Sequence, residues 1–126
     1  MGKVTTTRSK DAPTCPVRDV LDRVGDKWSV LVLLNLSDGE HRFNELRRAI
    51  GDISQRVLTE TLRSLERDGY LTRTVHPVSP PKVSYQLTDR GHSILVSFRT
   101  LLTWAKENLE GIQESRASYD LARKPQ

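Results

Sequence analysis

Four polar side chains recur at helical spacing near the middle of the chain, and their chemistry suits the edges of DNA bases. They are Gln55, Arg56, Thr59 and Arg63. Gln can form two hydrogen bonds with adenine, Arg can do so with guanine, and Thr can donate, accept or contact the thymine methyl group. The pattern predicts a helix that enters a DNA major groove. The plainer alternative is a surface helix, because a charged outer face is common on such helices.

The segment that carries these side chains has the apolar periodicity of an amphipathic helix. Ser54 is expected to cap its N-terminus, because a hydroxyl at that position accepts a hydrogen bond from a backbone N–H one turn in. Gly69 is expected to end it, because glycine readily adopts the left-handed conformation that follows many helices. The predicted buried stripe consists of Val57, Leu58, Thr61, Leu62 and Leu65.

A single cysteine, Cys15, is the other residue that could do chemistry. It precedes Pro16, where a helix is predicted to begin, and a helix N-terminus lowers the pKa of a thiol and raises its reactivity. One interpretation is a redox switch, in which oxidation joins Cys15 to another molecule's thiol or to Cys15 of a second copy. The alternative is a small buried residue with a structural role. One cysteine cannot form an internal disulfide, as expected in a reducing cytoplasm.

Three short helices are predicted before the Ser54 helix, at residues 16–24, 27–36 and 43–50. The second is apolar on nearly all sides, so it must be buried. A tight turn at Gly51 separates the third helix from the Ser54 helix, which is the helix-turn-helix arrangement. Backbone N–H groups at the start of the Ser54 helix also favour phosphate.

Residues 70–75 and 82–87 alternate in polarity and predict a β-hairpin with a proline-rich tip. A helix-turn-helix followed by such a hairpin is a winged helix, so the expected fold class is mainly α with a small β-hairpin wing (α+β). The flanks of the groove-entering helix are predicted to contact phosphate or the minor groove. The side chains concerned are Arg42, His76, Lys82 and Ser84.

A long last helix, capped by Thr88, is predicted from Asp89 to about Glu114. It carries more apolar surface than a small winged helix can cover, and patches of this kind usually mark an interface. We expect it to pack with the first helix against a two-fold mate, although it could instead fold back on its own domain. The predicted dimer contacts are Val17, Leu21, Phe98, Leu101, Leu102, Trp104, Ala105 and Leu109.

Composition restricts the remaining classes. The 126 residues fit one domain, and a net charge of +4 favours an anionic partner without deciding the matter. Between Arg42 and Arg73 there are seven Arg against five acids, a local excess of only +2, so the argument depends on the placement of Arg. No apolar run is long enough for a membrane span. The three His lack metal-ligand spacing, and neither a phosphate loop nor a nucleophile elbow is present, so we expect no cofactor, no metal and no enzyme.

Taken together, these segments resemble the HxlR-type winged-helix regulators, relatives of the MarR group. The resemblance covers about Cys15 to Leu109 and rests on linked motifs in a fixed order. The motifs are Cys15-Pro16-Val17, Gly25-Asp26-Lys27-Trp28, Arg42-Phe43-Asn44-Glu45-Leu46, Leu58-Thr59-Glu60-Thr61-Leu62-Arg63, Leu65-Glu66-Arg67-Asp68-Gly69, Pro80-Pro81-Lys82-Val83-Ser84-Tyr85-Gln86-Leu87-Thr88, Gly91 and Trp104. The resemblance implies a dimeric bacterial transcription factor that binds a pseudo-palindromic operator. Several family members respond to oxidants, electrophiles or aldehydes, and Cys15 matches the position of the sensing cysteine in redox-responsive relatives.

The expected organisation is therefore a flexible arm at residues 1–14, a DNA-binding and dimerisation domain at 15–112 and a loose tail at 113–126. The expected partners are double-stranded DNA and a second copy of the chain, in the cytoplasm on nucleoid DNA, with a small-molecule or oxidant effector as a further partner. One alternative is a winged helix that binds protein instead of DNA. Another is a ligand pocket between the first and last helices, lined by Trp28, Phe98 and Trp104.

Overall fold

The computed structural model of the protein describes residues 15–123, and that part of the chain forms five helices and three strands. In chain order they are α1 (Pro16–Val24), α2 (Lys27–Asn35), β1 (His41–Arg42), α3 (Phe43–Ile50), α4 (Gln55–Arg67), β2 (Leu71–His76), β3 (Lys82–Leu87) and α5 (Asp89–Arg123). The predicted arm at residues 1–14 lies outside the described residues, as do residues 124–126.

Helix α2 is the centre of the fold, as its apolar sequence predicts. Asp26 caps it, because the carboxylate accepts a 2.8 Å hydrogen bond from the Ser29 backbone N–H. Val32 and Leu33 are completely buried and belong to one core that α3, α4, α5 and the sheet also enter. Burial of this apolar surface is the main stabilising contribution to a domain of this size.

Helices α3 and α4 form the predicted helix-turn-helix. Ser54 caps α4 by accepting a 3.1 Å hydrogen bond from the Val57 backbone N–H. Leu58, Leu62 and Leu65 are buried on one side of α4, which confirms the predicted stripe. Gly69 has a φ of +84°, so the chain leaves the helix through the left-handed conformation that favours glycine.

Strands β2 and β3 form the predicted hairpin, hereafter the wing (Leu71–Leu87). Leu71 pairs with Leu87 and His76 pairs with Lys82 in antiparallel register. The sequence analysis did not predict β1, which pairs with β3 and makes a three-stranded sheet in the order β1-β3-β2. A two-residue strand is too short to show alternation, so periodicity could not reveal it.

Helix α5 begins against the wing. Thr88 caps it by accepting from the Gly91 backbone N–H at 3.1 Å, and the same hydroxyl donates to the Gly69 carbonyl at 2.6 Å. The helix extends to Arg123, so the predicted end near Glu114 and the predicted loose segment from residue 113 are wrong up to that residue. None of the helices in the described range 15–123 is long and apolar enough to span a membrane.

Candidate nucleic-acid interface

The exposed face of α4 carries the side chains expected to contact bases. Gln55, Arg56 and Arg63 are exposed and Thr59 is half-buried. The Thr59 hydroxyl donates to the Gln55 carbonyl at 2.8 Å, and Arg56 pairs with Glu60 at 3.3 Å. These bonds are local to the helix, so they hold the polar side chains in place without burying them.

A groove of about 560 Å³ separates α4 from the wing. Its polar lining includes three of the predicted base-contacting residues, Gln55, Thr59 and Arg63, and Arg73 from β2. Its floor is apolar, with Phe43, Leu62, Val83 and Tyr85, and Glu66 supplies the one acidic side chain in the lining. The fold therefore brings the polar face of α4 and a wing arginine to one surface.

A second cleft, of about 710 Å³, lies on the opposite face of the wing, near its tip. All four predicted flanking residues line it, namely Arg42, His76, Lys82 and Ser84. Arg42 and Lys82 are exposed, and both belong to strands of the same small sheet. Positive side chains on a surface of this kind can position a phosphate backbone without reading its sequence.

Ser84 lines the cleft, but it is not free to contact DNA as the sequence analysis predicted. It is only 4% exposed, so its hydroxyl is not available for a nucleic acid. The hydroxyl donates to the Glu40 carboxylate and is 2.9 Å from His76 Nε2. Ser84 therefore binds within the protein, because alternation in β3 turns it towards the segment before β1.

Glu40 is the residue that the sequence analysis missed. Its carboxylate lies 3.4 Å from His76 Nε2 in addition to accepting from Ser84. The hydrogen bond from Ser84 holds the pKa of the Glu40 carboxyl below its usual range, and the neighbouring His76 acts in the same direction. An acid in a turn carries no local sequence signal for a partner 44 residues away.

Two further carboxylates near the same cleft are held in their charged form. His41 Nε2 lies 2.8 Å from Asp38, and this contact lowers the pKa of the Asp38 carboxyl. Glu45 accepts from the Arg42 backbone N–H at 2.7 Å, which is the main reason that its pKa is lowered. The cleft near the wing tip therefore combines paired carboxylates with exposed cations.

Cys15 is exposed in the single chain at the N-terminal boundary of α1, so the chain's own core does not bury it. Hydrogen bonds from the backbone N–H groups of Arg18 and Val17 lower the pKa of its thiol. A larger thiolate fraction makes a cysteine more reactive towards oxidants and electrophiles.

An apolar surface extends along α1 and α5, where the dimer contacts are predicted. Its exposed members are Val17, Leu21, Leu101, Leu102, Trp104 and Leu109, and Ala105 is half-buried among them. Phe98 differs, because it is 7% exposed and belongs to the core of its own chain. Trp28 also packs against that core, whereas Trp104 is 53% exposed, so the three aromatic residues proposed for a ligand pocket have separate environments.

Comparison with known proteins gives a consistent result. Residues 23–113 match the family described as HxlR-like helix-turn-helix. The chain is 41% identical over 110 residues to the HTH-type transcriptional regulator YtfH of Escherichia coli K12, covering 85% of this chain and 87% of that protein. It is 40% identical to the solved structure of the regulator YtfH from Salmonella typhimurium, with a TM-score of 0.75, covering 86% of this chain and 97% of that one.

The solved structures also include a protein described as a redox regulator, HypR. Its reduced form is 38% identical to this chain and superposes with a TM-score of 0.75, covering 79% of this chain and 99% of that one.

Proposed function

The chain belongs to the HxlR-like helix-turn-helix family of transcriptional regulators, and from this premise we propose that it binds a pseudo-palindromic DNA operator as a homodimer. The observation that carries the proposal is the exposed polar face of α4 beside the wing groove. Gln55, Thr59 and Arg63 point out of a helix whose other face is buried, so they can contact bases without any loss of core packing.

The two clefts beside the wing supply complementary contacts. Arg56 lies at the start of α4, and Arg42, His76 and Lys82 line the cleft near the wing tip. We assign the exposed polar residues of α4 to base recognition. We assign Arg42, His76 and Lys82 to phosphate or minor-groove contacts. The dissociation constant of the DNA complex should therefore increase steeply with salt concentration, because each phosphate neutralised by Arg or Lys releases counterions on binding.

Dimerisation through α1 and α5 supplies the symmetry of the proposed site. Leu101 is 60% exposed in the single chain, and Trp104 and Leu109 are exposed on the same helix. A second copy that covers this surface would place two α4 helices about one turn of DNA apart, or roughly 10 base pairs between half-site centres. We accordingly propose that the homodimer acts on nucleoid DNA.

The experiment that tests this proposal is a binding selection from random duplex DNA with reduced protein, followed by salt titration of the selected site. We expect an inverted repeat with half-sites about 10 base pairs apart. A single asymmetric site bound by one chain would contradict the homodimer. An absence of any selected site, together with no salt-dependent DNA binding, would favour a winged helix that binds protein.

Control by oxidation of Cys15 is a second candidate function. It is favoured by the exposed thiol at the α1 boundary and by the lowered pKa of that thiol, beside a surface proposed to meet the partner chain. Repeating the selection after mild peroxide or diamide tests it. Loss of binding in the wild type but not in Cys15→Ser would support the switch. Equal binding in both would favour a structural cysteine or a regulator gated by a small molecule.

A further inference from the structure

The short connection between α2 and β1 contains a side chain, Glu40, that contacts both strands of the wing. Glu40 precedes β1, and its carboxylate reaches Ser84 in β3 and His76 at the end of β2. Ser84 is buried, so its hydroxyl needs partners within the protein. The Ser84 hydroxyl donates a hydrogen bond to the Glu40 carboxylate. Because its only hydrogen is used there, the Ser84 oxygen accepts from His76 Nε2 at 2.9 Å.

The charges of the cleft near the wing tip are balanced when its imidazoles are neutral. Its charged lining consists of two carboxylates, Glu40 and Glu45, and two cations, Arg42 and Lys82. His76 and His41 are the remaining titratable side chains that line it, and Asp38 faces His41 from outside. A proton taken up by either imidazole therefore makes this surface net positive.

Protonation of His76 leaves the hydrogen bonds of this cluster intact. Nε2 already carries the proton donated to Ser84, so Nδ1 is the atom that takes up a proton in acid. The imidazolium then lies 3.4 Å from the Glu40 carboxylate. Proton uptake thus changes the charge near the wing tip without rearranging the cluster.

We propose that Glu40 is a positioning residue for the wing, and that proton uptake by the neighbouring His76 makes DNA affinity increase as the pH falls. The physical reason is that phosphates attract a positively charged cleft near the wing tip, so DNA binding is linked to proton uptake. This inference rests on the proposed DNA binding and adds a form of regulation to it.

The first test measures the wing without DNA, by amide hydrogen exchange of the free protein. Glu40→Ala removes the acceptor of the buried Ser84 hydroxyl, so amides of β2 and β3 should exchange at least about tenfold faster, while those of α2 stay unchanged. Glu40→Gln keeps an acceptor and should exchange like the wild type. Unchanged wing exchange in Glu40→Ala would overturn the positioning role whether or not the protein binds DNA.

The second test measures the dissociation constant for the selected operator from about pH 8 to about pH 6. The wild type should bind about threefold to tenfold more tightly at the lower pH, because binding is linked to uptake of a proton. The gain should be absent or much reduced in His76→Gln. His41→Gln should keep most of the gain, which separates His76 from the other imidazole of the cleft.

Glu60→Gln is the matched control for loss of an acidic charge. It removes one carboxylate from the DNA-facing helix, where Glu60 pairs with Arg56 outside the histidine cleft. Its affinity should change at every pH by the same factor, so the pH profile should remain that of the wild type. A wild-type profile in His76→Gln would overturn the pH-dependent part of the inference. Absence of DNA binding by the wild type at every pH would instead overturn the proposed function.

Discussion

Arg56 and Arg63 lie on the same exposed face of α4 but have different surroundings. Arg56 is engaged by Glu60, whereas Arg63 lines the groove between α4 and the wing with Arg73. Arg67 lies in the last turn of the same helix, exposed and outside that lining. The three arginines are therefore expected to contribute differently to DNA binding, according to where each lies on the helix.

We expect Arg63→Ala to weaken binding of the selected operator by about 1–3 kcal/mol and to relax the preference at one base position. Arg67→Ala is the matched control and should change the affinity little, because it removes a solvated side chain of the same charge. Titrations with the operator and with single-base variants measure both effects. A similar loss in both variants, without any change in base preference, would contradict base recognition by Arg63.

Cys15 should be alkylated faster near neutral pH than an ordinary exposed cysteine. Backbone hydrogen bonds, chiefly from the Arg18 N–H, lower the pKa of its thiol, so the thiolate persists to lower pH and disappears as the pH falls through that lowered value. The measurement is the rate of iodoacetamide modification as a function of pH, with free glutathione as the reference and Cys15→Ser as the blank. A pH profile that coincides with glutathione would disprove the activation.

Single residues also mark the limit of prediction from sequence. The polar face of α4 could be predicted, because every contact that defines it lies within one helix. Ser84 was predicted at the DNA surface and is buried, because its neighbour Glu40 comes from a distant part of the chain. Periodicity describes one element at a time, so it cannot show which side chain another element presents.

Gly91 sets the distance between α5 and the start of the wing. A Cβ atom at this position would lie 2.2 Å from the Tyr70 carbonyl oxygen and 2.9 Å from a methyl group of Leu87. The backbone carbonyl cannot move away without opening the junction between α4, the wing and α5. Gly111 lies on the same helix, and a Cβ there would meet nothing within 4 Å.

We therefore expect Gly91→Ala to lower the free energy of unfolding by about 1–3 kcal/mol through overpacking. Gly111→Ala should raise it by about 0.5–1 kcal/mol, because alanine is the better helix former and no contact opposes it. Urea denaturation of the two variants measures the difference. Equal stability of the two would mean that α5 can shift away from Tyr70 at little cost.

Helix α5 was predicted as a helix, but its length was underestimated. Its predicted end followed the last residue of the apolar stripe, near Ile112. The helix continues because no glycine or proline follows Gly111 until Pro125, and good helix formers such as Glu114, Ala117 and Arg116 occupy the interval. An apolar stripe reports what a helix packs against, whereas its end depends on local backbone preferences.

At the scale of the whole molecule, most of the large apolar side chains that are exposed within residues 15–123 lie on α1 and α5. The core of the single chain already contains Leu95 and Phe98 from the first turns of α5, so the later residues Leu101, Leu102 and Leu109 have no role in it. Helix order, core and wing could be predicted from one sequence. The arrangement of two chains could not, because periodicity defines a surface but not the symmetry of its partner.

Leu109→Glu should dissociate the proposed homodimer at micromolar concentration, because a carboxylate on that surface would be buried without a partner. Val96→Glu is the control: Val96 is 66% exposed on the same helix but lies outside the predicted contacts, so the dimer should persist. Sedimentation velocity measures both, and operator binding should weaken in parallel for Leu109→Glu alone. A Leu109→Glu protein that remains dimeric would place the interface elsewhere.

The two faces of α4 also bear on how such a regulator can change its target. Leu58, Leu62 and Leu65 hold the helix in the core, whereas Gln55, Arg56 and Arg63 contribute almost nothing to that packing. Exchanging the outward residues should alter the preferred operator at little cost in stability, since surface substitutions usually change it by less than about 0.5 kcal/mol. Duplicated copies of this chain could therefore acquire different target sites in a genome, by evolution or by engineering, while the fold stays the same.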